Sequence, residues 1–240
     1  MASVKVEVIM DMCYGEHLLD IFPDERGSSR IIVAGASGSG KTELVTRIIK
    51  KYSCKFYKVL ICSSTSHHPI QDIPALRNKV FFSKELIDPE QEIDVLPNNN
   101  NNNNNNNKGL LVVYDDNFLR AANDETVANV FIRGRHLRIS AILIVQNLFF
   151  NAKHMRTVSL NCNYFLLLKQ RDLGQIETLG RQLYGREKSK LFLNAYKRAV
   201  TTRPYGYLLA DLSISTPEEL SLRSNIADEG PCEVVYSWQE

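Results

Sequence analysis

No apolar run in this 240-residue chain approaches the roughly 18 residues needed to cross a bilayer. A helical membrane span is therefore not expected, and no membrane partner either. The N-terminus has no signal-peptide core, because Lys5, Glu7 and Asp11 stand where an apolar stretch would be required. Net charge is nearly absent. The 29 basic side chains against 27 acidic ones leave +2, so overall charge carries no nucleic-acid footprint. A nucleic-acid partner would have to be met by local basic loops or by a surface assembled from several subunits. The five cysteines, Cys13, Cys54, Cys62, Cys162 and Cys232, are scattered and form no C-x-x-C pair. They read as reduced residues of a soluble, intracellular protein. An N-K-x-D guanine reader is also missing, which argues against GTP.

What is present is the composition of a globular protein, with 44% hydrophobic and 23% charged residues. The length suits one large α/β domain or two small ones. Short β-rich runs stand at 30–35, 58–64, 110–116, 141–146, 164–170 and 205–212, with a further strand candidate at 4–10. Helical patterns fill 41–52, 118–138, 172–185 and 188–200, while 65–96 reads as irregular. Strands alternating with helices imply βαβ units and a mostly parallel sheet. Asn98 to Asn107 is an unbroken run of ten asparagines, which cannot pack a core and reads as a disordered loop insertion. The expected organisation is an N-terminal extension at 1–29, one domain at 30–228 carrying an Asn-rich insertion at 97–108, and a tail at 229–240.

"GASGSGKT", Gly35 to Thr42, matches G-x-x-x-x-G-K-[ST] after a strand and at the opening of a helix. Glycines at 35, 38 and 40 let the backbone curl, so that its N–H groups face phosphate oxygens. The nucleotide-binding set is Gly35, Ala36, Ser37, Gly38, Ser39, Gly40, Lys41, Thr42 and Glu43. Lys41 should reach the β- and γ-phosphates, and Thr42 should ligate Mg²⁺. The loop does not say what work the nucleotide drives.

"LLVVYDD" ends a strand with two carboxylates. Asp115 fits the second Mg²⁺ position. Asp116 is either the base that polarises the attacking water, one methylene shorter than the more usual Glu, or an N-cap for the helix beyond. The strand at 58–64 separates the P-loop from this acidic strand in sequence, as in the additional-strand class of ATPases.

The strand at 141–146, if beside the acidic one, delivers Gln146 to the same sheet edge. An amide can donate to a γ-phosphate and accept from water at once. Arg133, Arg135 and Arg138 are candidates for an arginine finger supplied to a neighbouring subunit, with Arg135 the first choice and Arg171 and Arg181 behind them. Each is also readable, on its own, as part of a solvated helix face or a local salt bridge. His136 reads as a surface or packing residue.

"GASGSGKTEL", "LLVVYDD", "FIRGRHLRISAILIVQNLF", "MRTVSLNCNYFLLLKQRD" and "PYGYLLADL" occur in this order. With them the chain resembles the FtsK/HerA-type genome-packaging ATPases of Polinton/Maverick elements and related viruses, and more distantly the poxvirus packaging ATPases. The likeness spans about residues 28–228. It implies an α/β P-loop NTPase of the ASCE, RecA/FtsK-like kind, with a mostly parallel central sheet flanked by helices. It further implies ATP and Mg²⁺, a ring homo-oligomer, usually a hexamer, and pumping of double-stranded DNA into a capsid with capsid or portal-like partners. The place of action would be the host nucleus or a viral assembly site, with association to the virion. By position, Gly35 to Thr42 form Walker A, Asp115 and Asp116 form Walker B, and Gln146 is the sensor. Lys153, His154 and Arg156 follow that sensor as candidate DNA contacts, each also readable as part of a solvated basic loop. Two other readings stay open: a small-molecule or nucleotide kinase, and an ATP-binding remnant without motor activity.

Overall fold

A computed structural model describes residues 3–10, 20–22, 28–65, 67–93, 108–115, 118–227 and 232–239. Its elements run β1 (Ser3–Met10), β2 (Arg30–Ala34), α1 (Lys41–Tyr52), β3 (Phe56–Ser63), β4 (Val80–Ser83), β5 (Gly109–Asp115), α2 (Phe118–Asn123), α3 (Glu125–Arg133), β6 (Ile139–Val145), α4 (Met155–Leu160), β7 (Tyr164–Leu168), α5 (Leu173–Thr201), β8 (Tyr207–Asp211), β9 (Leu222–Ser224) and β10 (Cys232–Gln239). The strands form one sheet in the order β1-β10-β9-β8-β7-β2-β6-β5-β3-β4.

The stretch from β7 to β4 is parallel throughout. The inner strands β7, β2, β6 and β5 are continuous apolar runs because both faces are covered, whereas the edge strand β4 leaves Phe81 and Phe82 exposed. Successive residues alternate between two cores. Ile32, Val112, Leu143 and Leu167 meet Phe131, Val158, Phe192 and Tyr196 on the face of α3, α4 and α5. Ile31, Val113, Ile144 and Leu166 meet Leu44, Ile48 and Ile49 of α1 on the other. β6 sits between β2 and β5, so the P-loop strand and the acidic strand are not neighbours. This is the additional-strand arrangement expected from the sequence.

Several elements differ from the sequence reading. The strand expected at 4–10 is present as β1, while the segment read as a tail contributes a further strand, β10. The two pair antiparallel from Ser3↔Gln239 to Met10↔Cys232. The helix expected over 118–138 is broken at Asp124, whose carboxylate caps α3 by accepting from Thr126 N and Val127 N. A 3-10 turn, Gly134–Leu137, then replaces the last helical residues. The two helices expected over 172–200 are present, run together as α5 but separated at Gly185, where φ 76 and ψ 177 leave the helical region. Within 65–96, Pro69 and Pro74 each start a 3-10 turn, and the short strand β4 follows. The asparagine tract lies outside the described residues.

Candidate nucleotide site

The parallel strands align their carboxyl ends at one edge, and the loop Gly35 to Thr42 curls over it. Register fixes what surrounds the loop. Ala34 pairs with Val145, so Gly35 and Gln146 leave the sheet level with each other. Gly35 N–H donates to Val145 O (3.2 Å), and Ala36 N–H donates to Lys169 O (3.0 Å). The loop is thus stitched to the ends of β6 and β7.

Glycine is required at two positions by geometry. Gly40 has φ +92, and a Cβ placed on it would lie 2.8 Å from Tyr205 Cδ1. A Cβ on Gly35 would lie 2.4 Å from Ser39 Oγ. Gly40 is the N-cap of α1 and no side chain caps the helix, so its first N–H groups face the loop. Ser39 Oγ is buried with no hydrogen-bond partner among the described residues. Lys41 Nζ donates to Gly35 O (2.8 Å) and Ala36 O (3.0 Å), which places the ammonium inside the curl. Ser37, Gly38 and Glu43 are exposed at the rim. Among these, Glu43 offers a phosphate only its backbone N–H, since its carboxylate shares the phosphate's sign.

Thr42 Oγ1 donates to Asp115 Oδ2 at 3.0 Å. Asp115 is 2% exposed, at the exit of β5. A hydroxyl and a buried carboxylate held together beside a phosphate cradle are the oxygen donors that suit Mg²⁺, which takes one or two protein ligands and completes its shell with phosphate and water. These residues therefore fit both a nucleotide and its cation. Asp116 lies outside the described residues.

Gln146 is exposed just past β6, and its backbone carbonyl accepts from Gln170 Nε2 at 3.1 Å. The structure brings Gln146, Lys41, Thr42 and Asp115 to the same edge. It does not bring Arg133, Arg135 or Arg138 there. They precede β6 and so lie at the opposite end of the sheet. Arg133 pairs with Glu90 at 2.9 Å, and Arg135 and Arg138 are exposed. Arg171, exposed after β7, is on the P-loop edge, while Arg181 is exposed on α5. Lys153 and Arg156 are exposed in the segment that follows Gln146. That segment is tied to α2 by Lys153 N–H to Asn123 Oδ1 (2.8 Å) and His154 N–H to Ala122 O (3.0 Å).

The sequence reading missed His68. It follows β3, is 2% exposed, and points Nε2 at Asp115 Oδ2 from 3.6 Å. The available signal was the polar stretch "SSTSHHP" at the end of a strand adjacent to the acidic one, hidden inside a region read as irregular.

Residues 25–195 match the family described as Poxvirus A32 protein. The chain belongs to that family. The poxvirus side of the sequence resemblance therefore holds. Solved structures of the genome packaging NTPase B204 from Sulfolobus turreted icosahedral virus 2 share the fold of this A32-family chain. The complex with ATP-gammaS has a TM-score of 0.53 at 12% identity, covering 82% of this chain and 96% of that one. The complex with AMPPCP has a TM-score of 0.51 at 12% identity, covering 79% and 95%. At such identities the likeness is one of fold alone. No curated protein sequence matches the chain. Among the described residues, no helix is long and apolar enough to cross a membrane.

Proposed function

We propose that this A32-family protein is an ATP hydrolase that drives double-stranded DNA into a capsid, the genome being that of a virus or a virus-like transposon of the Polinton/Maverick kind. The observation that carries the reading is the Thr42–Asp115 pair beneath the P-loop, with Gln146 on the intervening strand. The B204 structures support it, because that protein is a packaging NTPase crystallised with ATP analogues on the same fold.

The loop N–H groups and Lys41 hold the phosphates. Thr42 and Asp115 would hold Mg²⁺, which would supply charge neutralisation. Gln146 donates to the γ-phosphate and accepts from the attacking water, fixing its approach. Water oxygen attacks the γ-phosphorus, the bond to the bridging oxygen of ADP breaks, and the water proton passes to the Asp116 carboxylate. An arginine from the next subunit of a ring, with Arg135 the sequence choice, completes the charge balance. Since Arg135 lies at the far end of the sheet from its own P-loop, it could serve only a neighbour's. The basic segment with Lys153, His154 and Arg156 contacts DNA phosphates, and only such a local patch is required by a near-neutral protein.

The test is the ATPase rate of the assembled ring with and without duplex DNA, alongside the oligomer mass. Stimulation by DNA and its loss in Lys41→Ala are expected. Equal turnover with and without DNA would refute a motor.

A further inference from the structure

The sheet order gives the candidate nucleotide site a direction. β6 and β5, carrying Gln146 and Asp115, flank the P-loop strand on one side, while β7 and β8 flank it on the other. A triphosphate whose γ end faces Asp115 and Gln146 directs its α end, ribose and base away from β5. The base is thereby sent toward the loops that follow β7 and precede β8. Leu168 pairs with Tyr207, so the loop 203–206 opens at the same edge as the P-loop.

That loop presents Tyr205. The residue is 63% exposed, an unusual display for a large aromatic, yet one edge of its ring rests on the P-loop. A Cβ built on Gly40 would lie 2.8, 3.3 and 3.4 Å from Tyr205 Cδ1, Cγ and Cβ. The remaining ring surface faces solvent beside the phosphate cradle. The backbone of Tyr205 has φ +56, a conformation that bulky L-residues rarely adopt. Its neighbours hold it there. Gly206 N–H donates to Arg203 O at 3.2 Å, and Gly206 packs so closely that a Cβ would lie 2.3 Å from Ala199 O. Thr202 N–H and Oγ1 both donate to Arg198 O, closing the end of α5. Strain retained in an exposed aromatic by a rigid turn is the pattern found at ligand clamps.

The geometry points to Tyr205 as the platform on which the base of the bound nucleotide stacks. This rests on the P-loop reading above. Stacking reads the face of the base and not its edge, so the platform favours purines, with their larger π surface, over pyrimidines.

Calorimetric titration of the full-length protein with ATP and with inorganic tripolyphosphate, each with Mg²⁺, tests the assignment. Tyr205→Ala should weaken ATP binding by about tenfold or more, while Tyr205→Phe and Tyr205→Trp stay near wild type. Tripolyphosphate, which has no base, should bind all variants alike. Melting temperatures serve as a folding control, since an exposed ring leaves no core cavity. Unchanged ATP affinity in Tyr205→Ala, or an equal loss for tripolyphosphate, would overturn the platform. If Lys41→Ala leaves both ligands' binding intact, the P-loop reading itself falls and the platform with it. Loss of both in Lys41→Ala with an unaffected Tyr205→Ala overturns the platform alone.

Discussion

The imidazole of His68 and the carboxylate of Asp115 face each other in the core of the site, Nε2 to Oδ2 at 3.6 Å, each side chain 2% exposed. Ile70 N–H donates to His68 Nδ1, so in the neutral ring the proton sits on Nε2 and points at Asp115. The distance exceeds that of a formed hydrogen bond, and among the described residues Nε2 has no hydrogen-bond partner. Phe82 packs against the ring at 5.9 Å between centroids and limits its rotation. His68 is thus set to hold the Asp115 carboxylate when Thr42 turns its hydroxyl toward a cation. His68→Ala should raise the Mg²⁺ concentration for half-maximal ATPase activity and cut activity by about 10- to 100-fold, the usual cost of removing such support. His68→Gln, which keeps a donor, should recover part of the loss. A folded His68→Ala protein with unchanged Mg²⁺ dependence would show that the histidine is only a packing residue.

Gly40→Ala should harm both loop and fold. The backbone angle of +92° costs an L-residue about 1–2 kcal/mol, and the new methyl strikes Tyr205. Lower melting temperature and weaker ATP binding are expected together. Adding Tyr205→Gly should restore part of the stability, because it removes the clash but not the backbone strain.

Arg223 and Asp211 form an ion pair at 2.6 Å, with side chains 0% and 2% exposed, in the antiparallel half of the sheet. Thr216 Oγ1 and Ser213 N–H also donate to that carboxylate. Asp211→Asn removes the carboxylate charge that faces this buried guanidinium. The expected loss is about 3–5 kcal/mol in urea unfolding, far more than a surface pair would cost. A loss below about 1 kcal/mol, within the range of exposed pairs, would mean that water reaches Arg223.

Thiol chemistry should separate Cys54 from Cys62 and Cys162. Cys54 is exposed, whereas burial raises the Cys62 thiol and pushes Cys162 from the ordinary 9.0 up to about 12. Fewer thiolates mean slower alkylation, so at mild alkaline pH Cys54 should label first, and the other two only on unfolding. Mass spectrometry of timed iodoacetamide reactions checks the order. Burial likewise raises Tyr164 and Tyr184 from 10.0 to about 12. The folded state therefore holds these protons more tightly than the unfolded chain. Their stabilising contribution is complete below about pH 9 and is lost as pH climbs toward 12. Urea midpoints measured across that range should fall.

The parallel core and its loop were legible because their signals are local. A buried strand is a run such as "AILIV", and a P-loop is a glycine pattern placed between strand and helix. Gln146 and Asp115 could be assigned to one edge because strand direction fixes which end carries ligands. His68 was not legible, since its relation to Asp115 depends on the path of an irregular segment. Tyr205 was quoted within "PYGYLLADL" but carried no meaning until the antiparallel return of β8 placed it against Gly40. The break at Asp124 was a missed cap, an aspartate with Glu125 and Thr126 behind it. β1 was legible as a strand candidate but not its place in the sheet, and β10 was read as a tail, because the two pair with each other from far apart in sequence.

That last pairing orders the events of folding. Ser3 must find Gln239, whereas every parallel strand pair of the core can form once residue 168 has been made. During synthesis the phosphate loop and its helices can collapse early, while the first strand waits for the last one to emerge. Closure of the sheet's outer edge is then the slow step, and a time-resolved refolding experiment should see the nucleotide cradle form before the ends are joined.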